Sequence, residues 1–161
     1  MVSIENLETI KKIAEEFFRK TTFDVEIEVL PEKEGIIPIN IKAEEPQILI
    51  GGGGQTLAEI QRLLKAILKR KISEPFYVNL DINNYKQKKY EYLKELALSA
   101  ANEVALAQKA KELASMPSYE RRIIHLELAS RRDVVTGSIG QEPERRVVIS
   151  PCPKLESDKH P

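Results

Sequence analysis

The 161-residue chain has one cysteine, Cys152, so it cannot form an internal disulfide, and a reducing compartment is the default setting. It has only two histidines, His125 and His160. No Cys/His cluster offers zinc spacing, and neither H-E-x-x-H nor G-x-S-x-G occurs. Glu44 and Glu45 read as a solvated turn, and Asp24, Glu26 and Glu28 lie on one strand face without a partner for metal geometry. Enzyme activity, a metal and a cofactor are therefore not expected. No stretch approaches the ~18–20 apolar residues of a membrane span. The amino terminus carries Glu5 and Glu8 and lacks an apolar secretory core. A cytoplasmic protein without membrane insertion is expected. Internal repeats at periods of roughly 20–50 residues are also missing.

The residues present suit a globular protein: 42% are hydrophobic and 31% charged, enough for one medium domain or two small ones. The formal net charge of zero hides an asymmetry, because residues 1–60 hold 6 Lys+Arg against 12 Asp+Glu. Within residues 61–94 the ratio reverses to 9 basic against 3 acidic. An anionic partner would be drawn to that middle segment, although a row of solvated lysines on a helix gives the same count.

Ser3 is a candidate N-cap for a helix in which Ile4, Leu7, Ile10, Ala14, Phe17 and Phe18 recur at helical spacing. Phe23, Val25, Ile27 and Val29 alternate with acids, which predicts a half-buried strand. A second strand is expected over 36–43, with Pro38 suggesting an edge or a bulge. A short helix at 46–50 leads into Gly51-Gly52-Gly53-Gly54, after which Leu57, Ile60, Leu63, Leu64, Ile67 and Leu68 form a helical stripe. Arg62, Lys65 and Lys69 share a separate stripe. Phe76, Val78, Leu80 and Ile82 alternate as a third strand, and Asn83-Asn84 is a breakpoint. A long helix is expected from about Tyr85 to about Glu112, and Ser118 is a candidate cap for a second helix over roughly 119–130. Two short strands at 133–136 and 145–150 flank a loop over 137–144. Residues from 151 onward read as a frayed tail.

Four consecutive glycines need a reason, since each weakens regular structure by roughly 0.5–1 kcal/mol relative to alanine. Without a Cβ another backbone can lie directly against the loop, and amides at a helix start favour phosphate. Gly54 is followed by Gln55-Thr56, which excludes both a P-loop and a dinucleotide fingerprint. Further on, Arg121 and His125 lie four apart on one helix face, a cation and an imidazole that together can grip a phosphate and a base edge. Taken alone, such a pair usually does nothing specific.

The segment 48–57, set after two strands and before an amphipathic helix, resembles a KH domain, whose Gly-x-x-Gly loop clamps about four nucleotides of single-stranded backbone. The order of elements looks like the type II version. The stretches 116–125 and 136–149 resemble the R-3-H domain, named for its Arg-x-x-x-His motif. The combination resembles the bacterial Jag family, also called KhpB, over residues 3–151. The resemblance implies an α+β fold with a type II KH domain at 1–83 (α-β-β-α-α-β), an R-3-H domain at 84–151 (α-α-β-β) and a flexible tail at 152–161. It implies non-catalytic binding of single-stranded RNA, with some relatives tied to cell elongation and division. The residues it assigns to RNA are Gly51, Gly52, Gly53, Gly54, Arg62, Lys65, Lys86, Lys89, Arg121, Arg122, His125 and Arg145. Residues 36–41 and the helix after the glycines would line the base groove. A small KH-only protein or a second copy is the implied protein partner.

Three departures from the family pattern bear on strength. Gly52 and Gly53 stand where relatives usually carry a basic or polar pair, so weaker binding by the KH half is expected. Each phosphate contact that is missing flattens the salt dependence by about 0.7 for a single strand. The extra amino-terminal domain of some relatives is not expected here, so its roles are not carried over. Lys86, Lys88 and Lys89 replace frequent arginines, which removes the planar fork from those contacts. Two other readings stand beside RNA binding: a KH fold that serves only protein interaction, and a single-stranded DNA binder.

Overall fold

Ser3 caps the first helix as expected: its Oγ accepts the Asn6 N–H at 3.2 Å and so satisfies one of the amides orphaned at a helix start. The computed structural model describes residues 3–153. Helix α1 (Ile4–Arg19) buries Ile10, Ala14 and Phe18, one face at a spacing of four. Strands β1 (Val25–Val29) and β2 (Ile36–Ala43) follow. Helix α2 (Pro46–Ile50), a 3-10 turn at Gly52–Gly54 and helix α3 (Gln55–Leu68) lead to β3 (Tyr77–Ile82). The sheet order is β1-β2-β3, with β1 antiparallel and β3 parallel to β2.

Period-two patterning places Ile37, Ile39 and Ile41 of β2 and Val78, Leu80 and Ile82 of β3 in one core with Leu57, Leu64 and Leu68 of α3. Each such side chain stabilises the unit by about 1.5–3 kcal/mol through burial. Pro38, expected at an edge or bulge, lies instead in the central strand. Its carbonyl accepts the Leu30 N–H at 3.0 Å, one residue past the end of β1. A strand residue points its N and its C=O to the same side, so the missing proline donor falls where β1 has already ended. The parallel ladder to β3 loses nothing.

Helix α4 (Tyr85–Ala107), strand β4 (Lys111–Ser115), helix α5 (Ser118–Leu128) and strands β5 (Val134–Ile139) and β6 (Arg146–Pro151) complete the described chain. Ser118, expected as a cap, is instead the first residue of α5, and Pro117 before it offers no side-chain cap. Contacts divide the described chain into two units between Gln87 and Lys88, inside α4. The second sheet has the order β4-β6-β5, all antiparallel. It covers a core of Leu93, Ala97 and Val104 from α4, Ile124 and Leu128 from α5, and Val147 and Ile149 from β6.

Both units are α+β, as expected, but the second contains one strand more than α-α-β-β. The long helix stops at Ala107, not near Glu112: Gln108 takes φ 53, and its N–H reaches the Val104 carbonyl at 2.9 Å. This is a left-handed helix terminus built without glycine. Lys111–Ser115 has helix-tolerant composition and becomes a strand only because β6 is there to pair with it. β5 runs through Gly137 and Ser138, which were expected in a loop. At the carboxyl end Pro151 pairs with Val134, and the Cys152 N–H donates to Asp133 O at 2.9 Å, so this part of the expected tail is tied to the sheet. Residues 154–161, His160 included, lie outside the described residues.

Candidate nucleic-acid interface

The four glycines are not equivalent. Gly51 ends α2 at φ 73, and its N–H donates to the Gln47 carbonyl at 2.9 Å. A Cβ there would lie 2.1 Å from Thr56 Oγ1 and 2.9 Å from the Thr56 backbone nitrogen. Gly54 sits at φ 82, and a Cβ there would lie 3.0 Å from the Tyr85 ring. A side chain at Gly51 would clash with Thr56, and one at Gly54 would be strained by its backbone and crowd Tyr85. A Cβ at Gly52 or Gly53 would meet nothing within 4 Å, although Gly53, at φ 60, keeps a backbone that favours glycine. The inner pair presents bare backbone to the outside, directly before α3, whose first turn has no side-chain cap. Uncapped amides at a helix start, reached over a backbone without side chains, suit a phosphate.

Beyond the loop, α3 packs against β3. Gln61 Oε1 accepts the Leu80 N–H at 2.9 Å, and Lys86 Nζ donates to Asn79 Oδ1 and, at 3.4 Å, to Gln61 Oε1. Burial pushes the Lys86 amine down from its ordinary value, against the pull of Asp81. Lys65 Nζ stands 5.0 Å above the ring of Tyr77, which is 65% exposed. Arg62 pairs with Glu59 at 3.0 Å on the same helix. The expectation that residues 36–41 line a groove at the sheet edge is corrected. β2 has a neighbour on each side, and Ile37, Ile39 and Ile41 are buried; the edge beside α3 belongs to β3. Tyr77, Asn79 and Gln61 were not singled out in the sequence, because nothing local marks β3 as the outer strand.

In the second unit Arg121 and His125 share one face of α5, but neither projects freely. Arg121 is 7% exposed. Its Nε donates to Met116 O at 3.2 Å, and its Nη2 bonds Glu142 Oε1 on the loop between β5 and β6. His125 lies between two hydroxyls of β5, with Nδ1 2.7 Å from Thr136 Oγ1 and Nε2 2.9 Å from Ser138 Oγ. Burial first, and the Arg121 charge second, hold its pKa below the usual histidine range. A neutral ring donates from one nitrogen and accepts at the other, and hydroxyls serve either role.

The remaining expected contacts differ in freedom. Lys89 Nζ lies 3.3 Å from Glu120, whose carboxylate is buried and also accepts from the Tyr119 hydroxyl at 3.0 Å. Arg122 and Arg145 are exposed, and within the described residues neither guanidinium has a side-chain partner. Thr136, Ser138, Glu142 and Glu120 complete the site. Their signal in the sequence was their place in the stretches that resemble an R-3-H domain, without any indication of which side chain each would meet.

A KH domain model matches residues 8–89 and an R-3-H domain model matches residues 91–151. The chain is 35% identical over 156 residues to the RNA-binding protein KhpB of Clostridium symbiosum, covering 93% of this chain and 70% of that protein. The chain belongs to the KhpB family. It is similar also to the KhpB proteins of Lactiplantibacillus plantarum, at 36% over 112 residues, and of Bacillus subtilis, at 35% over 121. It spans 35% and 58% of the length of those two KhpB proteins. The domain models take in both the glycine loop and the Arg121/His125 helix, so both sites lie inside the part of the chain that carries the family likeness.

Proposed function

We propose that the chain is a non-catalytic, cytoplasmic protein that binds single-stranded RNA through two sites. In the first, Gly51–Gly54 clamps sugar-phosphate backbone against the start of α3, and Lys65, Lys86 and Tyr77 along the α3/β3 seam meet the adjoining nucleotides. In the second, the His125 face of α5, with Arg122 and Arg145, takes a phosphate and a base edge. The observation that carries this reading is the difference in surroundings of the glycines. A Cβ on either outer one would meet Thr56 or Tyr85, while a Cβ on either inner one would meet nothing within 4 Å, and of the inner pair only Gly53, at φ 60, has a backbone that favours glycine. A merely flexible turn has no need of that pattern. The relatives' name as RNA-binding proteins supports RNA over other ligands.

A second reading, a KH fold serving protein interaction with a small KH-only partner or a second copy, draws on the absence of a charged side chain at Gly52 and Gly53. The two separate in one experiment. Binding of labelled single-stranded RNA and DNA is measured across a salt series for the wild type, for Gly52→Asp with Gly53→Asp, and for Arg122→Gln with His125→Ala. Salt-sensitive RNA binding that both double variants weaken supports the two-site reading. Binding indifferent to the glycine variant, together with a concentration-dependent dimer, supports the other. Equal affinity for DNA replaces RNA with single strands of either sugar.

A further inference from the structure

In the motif that names the R-3-H domain, the arginine is naturally read as a phosphate contact. We infer instead that Arg121 is a positioning residue: it holds the β5–β6 loop through Glu142 and Met116, and the loop's own Arg145, with Arg122, makes the phosphate contacts. The inference rests on the proposed RNA binding and deepens it.

Two hydrogen-bond routes lead from Arg121 to the loop. Directly, its Nη2 bonds Glu142, which stands in the middle of residues 140–145 with its side chain 57% exposed. Indirectly, its Nε donates to the Met116 carbonyl at 3.2 Å, and the Met116 N–H donates to the Arg145 carbonyl at 3.1 Å. One guanidinium thus fixes the loop at its middle and, through the backbone of one residue, at the residue that enters β6. The planar fork suits this double task, which a lysine's point charge cannot reproduce.

Exposure points the same way. Arg121 is 7% exposed and already faces a carboxylate, so an incoming phosphate would have to displace Glu142 and then reach a buried group. Arg122, next along α5, and Arg145, at the end of the held loop, are exposed and within the described residues have no side-chain partner. A solvated cation without an internal anion exchanges its counterions for phosphate at the least cost.

The test uses the full chain, a fluorescein-labelled single-stranded RNA of mixed sequence, and the variants Arg121→Gln, Glu142→Gln, both together, Arg122→Gln and Arg145→Gln. If Arg121 acts through the loop, Arg121→Gln and Glu142→Gln each weaken binding roughly tenfold, about the worth of one charge-assisted hydrogen bond. The double variant is then no weaker than Arg121→Gln alone, since Glu142 acts on the loop through Arg121. Arg122→Gln and Arg145→Gln each lower the salt slope by about 0.7. The opposite sign overturns the inference: if Arg121 contacts phosphate, Glu142→Gln removes a competing anion and binds as tightly as wild type or tighter. An additive double variant overturns it as well. Amide hydrogen exchange of residues 140–145 provides a readout without RNA, and faster exchange in Glu142→Gln than in wild type is expected. If wild-type protein ignores RNA, the proposed function fails, yet the exchange comparison still decides whether Arg121 holds the loop; unchanged exchange rejects it.

Discussion

The ring of Tyr85, in the first turn of α4, lies against Gly54 at the end of the glycine loop, so near that a Cβ on residue 54 would stand 3.0 Å from its Cε1. With φ at 82, the position also lies in the left-handed region that costs a residue bearing a Cβ about 1–2 kcal/mol. Gly54→Ala is therefore expected to destabilise the first unit by about 2 kcal/mol, strain and contact together. A shift of the urea midpoint measures it. A variant as stable as wild type would show that the loop is not held as described.

Gly52 has open space around it and an ordinary backbone, so a side chain there meets no obstacle. Gly52→Lys is expected to leave the melting temperature near that of wild type, to tighten RNA binding, and to steepen the salt slope by about 0.7. Unchanged affinity and slope would mean that nucleic acid does not pass over this loop.

Glu120 is buried at 3% exposure, and its cationic partner is Lys89, 24% exposed at 3.3 Å. Lys89→Met leaves a buried carboxylate without its counter-charge and is expected to cost about 2 kcal/mol, less than a fully buried pair because Lys89 is partly solvated. Combining it with Glu120→Gln should recover most of the loss. Denaturant unfolding of the single and double variants is the measurement; no recovery in the double variant refutes the pairing.

The lowered pKa of His125 links stability to pH. The unfolded ring titrates near the ordinary value of about 6.5, whereas the folded ring resists protonation until lower pH. Between those two values the unfolded state binds more protons, so stability rises with pH. The contribution of His125 is fully present above about pH 6.5 and is lost as pH falls through the folded pKa. The loss of stability between about pH 7.5 and about pH 5 is expected to be smaller in His125→Gln than in wild type. Identical pH profiles would contradict this. An imidazole titration followed by NMR should also show a higher pKa for His125 in Arg121→Gln, since the neighbouring charge is the second cause of the shift.

Local signals were sufficient wherever period and punctuation agreed. Ser3 as a cap, the stripe of Ile10, Ala14 and Phe18, and the alternation in β2 and β3 all placed their elements, because burying those faces is the dominant gain and its period is written in the chain. Pro38 misled, because a missing donor says nothing about which neighbour it faces or whether that neighbour has ended. Lys111–Ser115 was missed for a related reason: its composition suits a helix, and its strand state exists only in the ladder with β6.

The sequence by itself determined most of the helices and strands, a bare glycine loop and an Arg-x-x-x-His helix, which follow from residue type and spacing and are local. The division into two α+β units was legible only through the likeness to KH and R-3-H domains. Only the tertiary structure decided that the inner glycines lie open while the outer two are packed, that β3 and not β2 forms the edge, and that Arg121 faces Glu142. Each of these depends on which distant group arrives at a given surface. Thr56 and Tyr85 close two glycine positions, and the buried guanidinium of Arg121 takes the nearest anion that the fold supplies.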